Sequence, residues 1–314
     1  MQKILITRKI QRVAEELLNQ HFSVDVNPKD EVLAPDDLIA AVQNYDGILC
    51  TISDVFNAPV LSHATRVKAL SNLAMGLDNI DRDAAQQRGI AVYNTPGLTT
   101  NSTADMTFAL LLAFIRKISE AQSFVRANRW RGWEPMLFQG EELAGKTFGI
   151  VGFGQIGQAV ARRALGFGLK VVVYHRSFLT MPDEFKRAGV YQLSWEDFLK
   201  EIDYVSLHVP LTNETRGLIN RSVMEKMIKR PILINMARGG VVVTDDLVEA
   251  LTKGILRGAA LDVTTPEPIP ASHPLCMMEN CMIIPHIGSA TAECREKMAA
   301  AAAQNLIDHF KKCL

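Results

Sequence analysis

Three glycines, Gly152, Gly154 and Gly157, carry the first chemistry in this 314-residue chain. They stand between an apolar run, Thr147 to Val151, and a helical pattern through Ala159, Val160, Ala161 and Leu165. A strand, G-x-G-x-x-G and a helix in that order form a receptacle for a pyrophosphate. The first glycine permits the tight turn, the second lets the anion approach the backbone, and the third lets the helix lie close to the strand. Gln155 and Ile156 open the helix, whose free N–H groups would face the phosphates. A ligand-free βα turn would share the spacing. The strand that follows on schedule, Leu169 to Tyr174, favours the dinucleotide reading.

That second strand ends in His175-Arg176-Ser177. A site selecting NAD places Asp or Glu here to bind the ribose 2′-hydroxyl. No acid stands at this place. Arg176 and Ser177 can hydrogen-bond a 2′-phosphate that an acid would repel, so NADPH is the expected cofactor, with NADH weaker. The alternative for Arg176 is a solvated surface residue.

Three more polar residues follow apolar strands. Arg238 follows ILINMA, Glu267 sits in ALDVTTPEP and His286 follows MIIP. In a doubly wound sheet the carboxyl ends of the strands face the ligand crevice. An Arg can grip a carboxylate through two parallel hydrogen bonds. A His can give a proton to a developing alkoxide, and a Glu can orient that His and favour its charged form. Together they would suffice for carbonyl reduction beside a nicotinamide. Singly, each has a structural explanation at least as good: a surface Arg, a carboxylate at a turn, a His satisfied by a carbonyl. No metal site is expected.

The elements that must position these residues follow from composition and pattern. At 48% hydrophobic, the chain can fill two cores. Its 34 basic and 34 acidic residues provide no field for nucleic acid or a membrane surface. Cys50, Cys276, Cys281, Cys294 and Cys313 form no C-x-x-C pair and read as reduced thiols. MQKILITRKI reads as a first strand rather than a signal peptide, and a cytoplasmic protein is expected. Strands are expected at Lys3 to Thr7, Ser23 to Val26, Gly47 to Thr51, Lys68 to Ser71 and Ile90 to Tyr93, with helices such as Ile10 to Gln20 and Pro35 to Asn44 between them. One long apolar helix is expected over Thr103 to Arg126, capped by Asn101 or Ser102. Besides the two strands around the glycine motif, Tyr204 to Leu207, Ile232 to Asn235, Gly258 to Leu261 and Met282 to Ile284 complete six. The stretch from Ser289 onward is expected to be helical, with Ala300 to Ala303 returning to the first domain.

The sequence also resembles the D-2-hydroxyacid dehydrogenase family over essentially its whole length. The matching stretches are GLDNID (Gly76 to Asp81), GFGQIG, HVPLTNET (His208 to Thr215), INMARGG (Ile234 to Gly240), ALDVTTPEP (Ala260 to Pro268) and PHIGSAT (Pro285 to Thr291). The resemblance implies Arg238 as the substrate-binding catalytic arginine, Glu267 as partner of the histidine and His286 as acid/base. It implies that backbone N–H groups of Ala74, Met75 and Gly76 hold the substrate carboxylate, with Ser289 beside the substrate. It also implies that Thr103, Val209, Pro210, Thr215, Met236, Asp262 and Gly288 line the cofactor. Within the family the chain is most similar to glyoxylate/hydroxypyruvate reductases, through NRWRGWEP (Asn128 to Pro135), the HPL at His273 and the His175-Arg176-Ser177 ending. There a tryptophan matching Trp133 reaches across a homodimer into the neighbour's pocket. Two departures stand out: Asp105 replaces the more common Glu, and Met75 replaces a small residue. Met75, with Ile52 at a strand end, would narrow the substrate pocket.

The expected architecture is α/β, with two doubly wound parallel-sheet domains. A Rossmann cofactor domain, residues 97–288, is inserted into a flavodoxin-like substrate domain, residues 1–96 and 289–314. The active site is expected in the cleft between them. The expected activity is reduction of small 2-keto acids, glyoxylate and hydroxypyruvate, with His286 as proton donor. The rivals are a broader 2-ketoacid reductase acting on pyruvate or bulkier acids, and a non-catalytic cofactor-sensing scaffold of the same fold.

Overall fold

Alternating apolar runs and amphipathic segments set parallel strands with helices on both faces. A computed structural model describes residues 1–312; Cys313 lies outside them. The chain divides into two units. One comprises Met1–Thr99 with the segment from Ala290 onward, and the other is Thr100–Ser289.

In the first unit β1 (Lys3–Ile6), β2 (Ser23–Val26), β3 (Gly47–Cys50), β4 (Ala69–Asn72) and β5 (Ala91–Tyr93) form a parallel sheet. Their order is β2-β1-β3-β4-β5, the flavodoxin-like arrangement. The helix Ala292–Lys311 covers one face. Thr291 caps it by accepting the Cys294 N–H at 3.1 Å. Met298, Ala299, Ala302, Ala303, Leu306 and Phe310 make its buried stripe. The small alanines bring the helix backbone within reach of the sheet, and Ser71 Oγ donates to Ala302 O at 2.8 Å.

In the second unit β6 (Thr147–Val151), β7 (Lys170–Tyr174), β8 (Tyr191–Gln192), β9 (Tyr204–Leu207), β10 (Ile232–Asn235), β11 (Gly258–Leu261) and β12 (Cys281–Ile283) form the larger sheet. The order β12-β11-β10-β9-β6-β7-β8 is that of a dinucleotide-binding sheet with one further strand. Seven strands therefore stand where six were expected. The additional one, β8, has only two residues, too few to show a period of two. The helix Gln155–Gly166 buries Gly157, Ala159, Val160, Ala161 and Ala164, a face of small residues that lets it lie close to β6.

The expected long helix is two. Thr100–Ile115 and Ile118–Arg126 are separated at Lys117, which has φ 53°. The cause is tertiary. The Ile115 carbonyl accepts the Glu141 N–H at 3.3 Å, and Gly140 lies so close that an added Cβ would overlap that oxygen. Asn101 and Ser102, expected as caps, lie inside the first turn, because the helix starts at Thr100. Among the described residues no helix is long and apolar enough to cross a membrane.

Candidate active site

Parallel register fixes where the polar residues meet. Asn235 of β10 pairs with Leu261 of β11, which pairs with Ile283 of β12. The segments leaving these strands carry Arg238, Asp262 with Glu267, and His286. Buried Asn235 shapes the first turn. Its side chain accepts the Ala237 N–H at 3.0 Å and donates to the Arg238 carbonyl at 2.9 Å. Gly239 then packs on the next segment, since an added Cβ would overlap Thr264 O.

His286 is held from two sides. Its Nδ1 lies 2.5 Å from Glu267 Oε1. Its backbone N–H donates to Asp262 O at 2.9 Å, while the next two N–H groups, of Ile287 and Gly288, donate to the Asp262 carboxylate at 2.6 and 2.9 Å. Three consecutive N–H groups on one buried aspartate draw the chain into a tight turn, and His286 takes φ 53° there, a conformation disfavoured for a side chain with a Cβ. A Cβ at Gly288 would meet Asp262 Oδ2 at 2.7 Å and Met236 Cε at 3.1 Å, so only glycine fits. Burial pushes the Asp262 carboxyl above its ordinary value against the pull of these N–H groups. Burial also pushes Glu267 up. The hydrogen bond and charge of His286, the Thr264 N–H and the charge of Arg238 outweigh it, so the Glu267 carboxyl stays below its ordinary value. Arg238 is thus within electrostatic reach of the pair, and its Nη1 donates to the Ala237 carbonyl at 2.8 Å.

The glycine loop leaves β6 between β7 and β9. Gly152 N–H donates to Tyr174 O at 2.9 Å, and His208 N–H donates to Val151 O at 2.8 Å. Gly152 has φ 92°, and an added Cβ would stand 2.6 Å from His208 O and 2.8 Å from Val209 Cγ1. A Cβ at Gly157 would overlap Gly152 O, whereas one at Gly154 would meet nothing within 4 Å. The loop is thus closed on its protein side and open at Gly154. No side chain caps the helix beginning at Gln155 and Ile156. These features fit the pyrophosphate of a dinucleotide. Val209 and Pro210 follow β9, and Thr215 braces that segment by donating from Oγ1 to Pro210 O at 2.6 Å. Thr103 is buried in the helix Thr100–Ile115. In the same helix Asp105 pairs with Arg163 at 2.6 Å, tying it to the glycine-loop helix.

His175, Arg176 and Ser177 form a turn at the end of β7, closed by the 3.1 Å contact between Ser177 Oγ and His175 Nδ1. Arg176 and Ser177 are exposed. One acid lies within electrostatic reach of Arg176 after all. Glu214 is held below its ordinary carboxyl value by the Thr212 hydroxyl first, with the charge of Arg176 contributing. Sequence spacing from the glycine motif could not find it, since it comes from the segment after β9.

In the first unit, Ala74, Met75 and Gly76 follow β4. Their carbonyls are all engaged. Thr95 N–H donates to Ala74 O at 2.9 Å, Asn94 to Met75 O at 2.7 Å and Asn72 to Gly76 O at 3.0 Å. The Ala74 N–H donates to Asn72 O at 2.7 Å. Among the described residues the N–H groups of Met75 and Gly76 donate to no protein atom, which leaves two donors for an anion where three were expected. Met75 is 42% exposed, and Ile52, two residues beyond β3, is half-buried. In the second unit Ser289 is half-buried. Trp133 lies on an irregular segment, 85% exposed.

Comparison with known proteins agrees with this geometry. Residues 108–288 match the D-isomer specific 2-hydroxyacid dehydrogenase NAD-binding domain. A glyoxylate reductase of Thermococcus litoralis is 42% identical over 313 residues, covering 98% of this chain and 94% of the relative. A crystal structure of a Thermus thermophilus protein superposes with a TM-score of 0.90 at 42% identity, covering 99% of this chain and 97% of the other. An NADPH-dependent glyoxylate/hydroxypyruvate reductase of Sinorhizobium meliloti, solved with NADP and malonate, gives a TM-score of 0.85 at 28% identity, covering 98% and 93%. A sheet of this order with an open glycine loop is that of a dinucleotide-binding domain. The chain is a member of the D-isomer-specific 2-hydroxyacid dehydrogenase family.

Proposed function

We propose that this protein reduces glyoxylate and hydroxypyruvate to the 2-hydroxy acids, preferring NADPH to NADH. The observation that carries the reading is the His286–Glu267 pair, 2.5 Å apart, at the strand ends that also carry Arg238. With Nδ1 turned to Glu267, Nε2 is the nitrogen left to give a proton to the keto oxygen. Arg238 holds the substrate carboxylate and carbonyl. The reduced nicotinamide, when bound, supplies the hydride. Thr103, Val209, Pro210, Thr215, Met236 and Gly288 line that cofactor, and Asp262 sets the turn from which His286 acts.

The glyoxylate reductase relative supports the substrate class. The missing acid after β7 and the exposed Arg176 and Ser177 support NADPH. The exposed apolar surface of Ile118, Val125, Trp130, Trp133 and Met136 supports a homodimer, since a patch of this kind is rarely left in water. The helix Ile118–Arg126 has no buried residue. A homodimer in sedimentation at micromolar concentration is the expected result.

An initial-rate panel of glyoxylate, hydroxypyruvate, pyruvate and phenylpyruvate with each cofactor tests the reading. Glyoxylate and hydroxypyruvate with NADPH should give the highest kcat/KM. Phenylpyruvate as the best substrate would move the assignment to a broader reductase, and cofactor binding without turnover would move it to a scaffold.

A further inference from the structure

The two-residue strand β8 brings one side chain to the cofactor-selecting turn. Tyr191 and Gln192 pair with Val172 and Val173 of β7, so β8 runs beside the strand that ends in His175-Arg176-Ser177. Gln192 is half-buried and spends its whole amide on that turn. Nε2 donates to His175 O at 3.1 Å and to Ser177 O at 3.0 Å, and Oε1 accepts the Leu179 N–H at 2.9 Å. These bonds clamp the residues on either side of Arg176, whose own backbone they leave untouched. Only a primary amide has two N–H donors and an acceptor in one plane at this reach.

We propose that Gln192 is a positioning residue for cofactor selection, fixing the His175–Ser177 turn so that Arg176 and Ser177 are preorganised for an adenosine 2′-phosphate. The inference rests on the NADPH reading. Arg176 is exposed, and an Arg side chain loses rotamer entropy on gripping an anion. If its Cα also moved, that ordering would add to the cost of binding. The Gln192 clamp removes the backbone share before the cofactor arrives, and it serves only the 2′ end of the dinucleotide.

The test uses the full chain and two half-cofactor probes, adenosine 2′,5′-bisphosphate and adenosine 5′-monophosphate, bound by calorimetry. Gln192→Met keeps length and volume without hydrogen bonds, and Gln192→Ala is the second variant should the first fail to fold. Arg176→Ala is the reference. The unmodified protein should bind the bisphosphate more tightly. Gln192→Met should lower its preference for the bisphosphate roughly tenfold, within the about 2- to 12-fold expected per lost neutral hydrogen bond. Monophosphate affinity should stay within about twofold, and in kinetics KM for NADPH should rise while kcat and KM for NADH hold. If Arg176→Ala abolishes the preference and the Gln192 variants keep it, or weaken both probes equally, Gln192 is a structural residue and the inference falls while the NADPH reading stands. If the unmodified protein shows no preference, or Arg176→Ala leaves it unchanged, the NADPH reading falls and takes the inference with it.

Discussion

Asp262 holds His286 through the backbone and not through its ring. The Asp262 carbonyl takes the His286 N–H, and the carboxylate takes the two N–H groups that follow. The ring is left to Glu267. The turn and the ring of the histidine are therefore held by two different acids.

Asp262→Asn should separate these roles. An amide offers one acceptor oxygen in place of two, leaving one N–H of the turn unpaired, which costs about 1–3 kcal/mol. A shift of the turn by about 1 Å can cost roughly 10²-fold in rate. Expected is a fall in kcat of that order with a lowered Tm, measured by initial rates and thermal unfolding. Full turnover in Asp262→Asn would show that the turn does not position His286.

In the proposed mechanism Glu267 is the partner of the proton donor. Its carboxyl lies below its ordinary value, so it stays ionised at neutral and mildly acidic pH and is neutralised only as pH falls through that lowered value. With His286 as the proposed proton donor, keto-acid reduction should slow as pH rises, and oxidation of the hydroxy acid should show the reverse trend. Glu267→Gln removes the negative partner of the His286 ring. A charge-assisted hydrogen bond contributes about 1.5–3 kcal/mol, so reduction at pH 7 should fall roughly 10- to 150-fold. His286→Asn should slow it by about 10²–10⁴-fold at the low-pH end of the profile, and by less as pH rises. An unchanged rate of reduction in Glu267→Gln would separate Glu267 from the proton transfer.

What the sequence made legible tracks how local the determinant is. Runs such as ILIN and GAAL are apolar because both faces of a parallel sheet are covered, and they read as strands without further information. G-x-G-x-x-G is legible for the same reason, as each glycine answers a contact close in sequence or one strand away. The break at Lys117 was invisible, because FIRKISE holds neither Gly nor Pro and its cause, the Glu141 N–H on Ile115 O, comes from a later segment. Gln192 and Glu214 escaped for the same reason. Both act on a turn in another part of the chain, and Gln192 does so from a strand too short to recognise.

His208 should make stability sensitive to acid. The residue is half-buried, but its Nδ1 is shielded from water with no protein partner, and Nε2 lies 2.8 Å from Ser206 Oγ. Burial pushes its imidazole down to about 3, against an ordinary value of about 6.5. Between those values the unfolded chain binds a proton that the folded chain does not. This contribution to stability is therefore complete above about pH 6.5 and is lost as pH falls toward 3. Relative to pH 7.5, the loss at pH 5 is about 2 kcal/mol. His208→Gln has no such proton to bind. It should be the less stable form at pH 7.5, with the gap closing by about that amount at pH 5, read from denaturant midpoints. A gap independent of pH would mean that the folded His208 ring is open to protonation.

Glu214 should oppose the NADPH preference proposed for Arg176. The two charges interact, one on the turn after β7 and the other on the segment after β9, with β6 between those strands. A 2′-phosphate arriving at Arg176 must compete with this carboxylate and is repelled by it. The ribose hydroxyl of NADH meets neither effect. Glu214 is exposed, so solvent screens the interaction. Glu214→Gln should therefore raise the ratio of kcat/KM for NADPH over NADH only a few-fold, chiefly through KM for NADPH. Screening predicts a second signature: the gain should shrink as ionic strength rises from about 0.01 M, with a Debye length near 30 Å, to about 1 M, where it is near 3 Å. The measurement is the efficiency ratio in both forms at the two salt concentrations. An unchanged or lowered ratio in Glu214→Gln at low salt would show that Glu214 does not act on the 2′ end, and a gain that persists at 1 M would assign its effect to shape rather than charge.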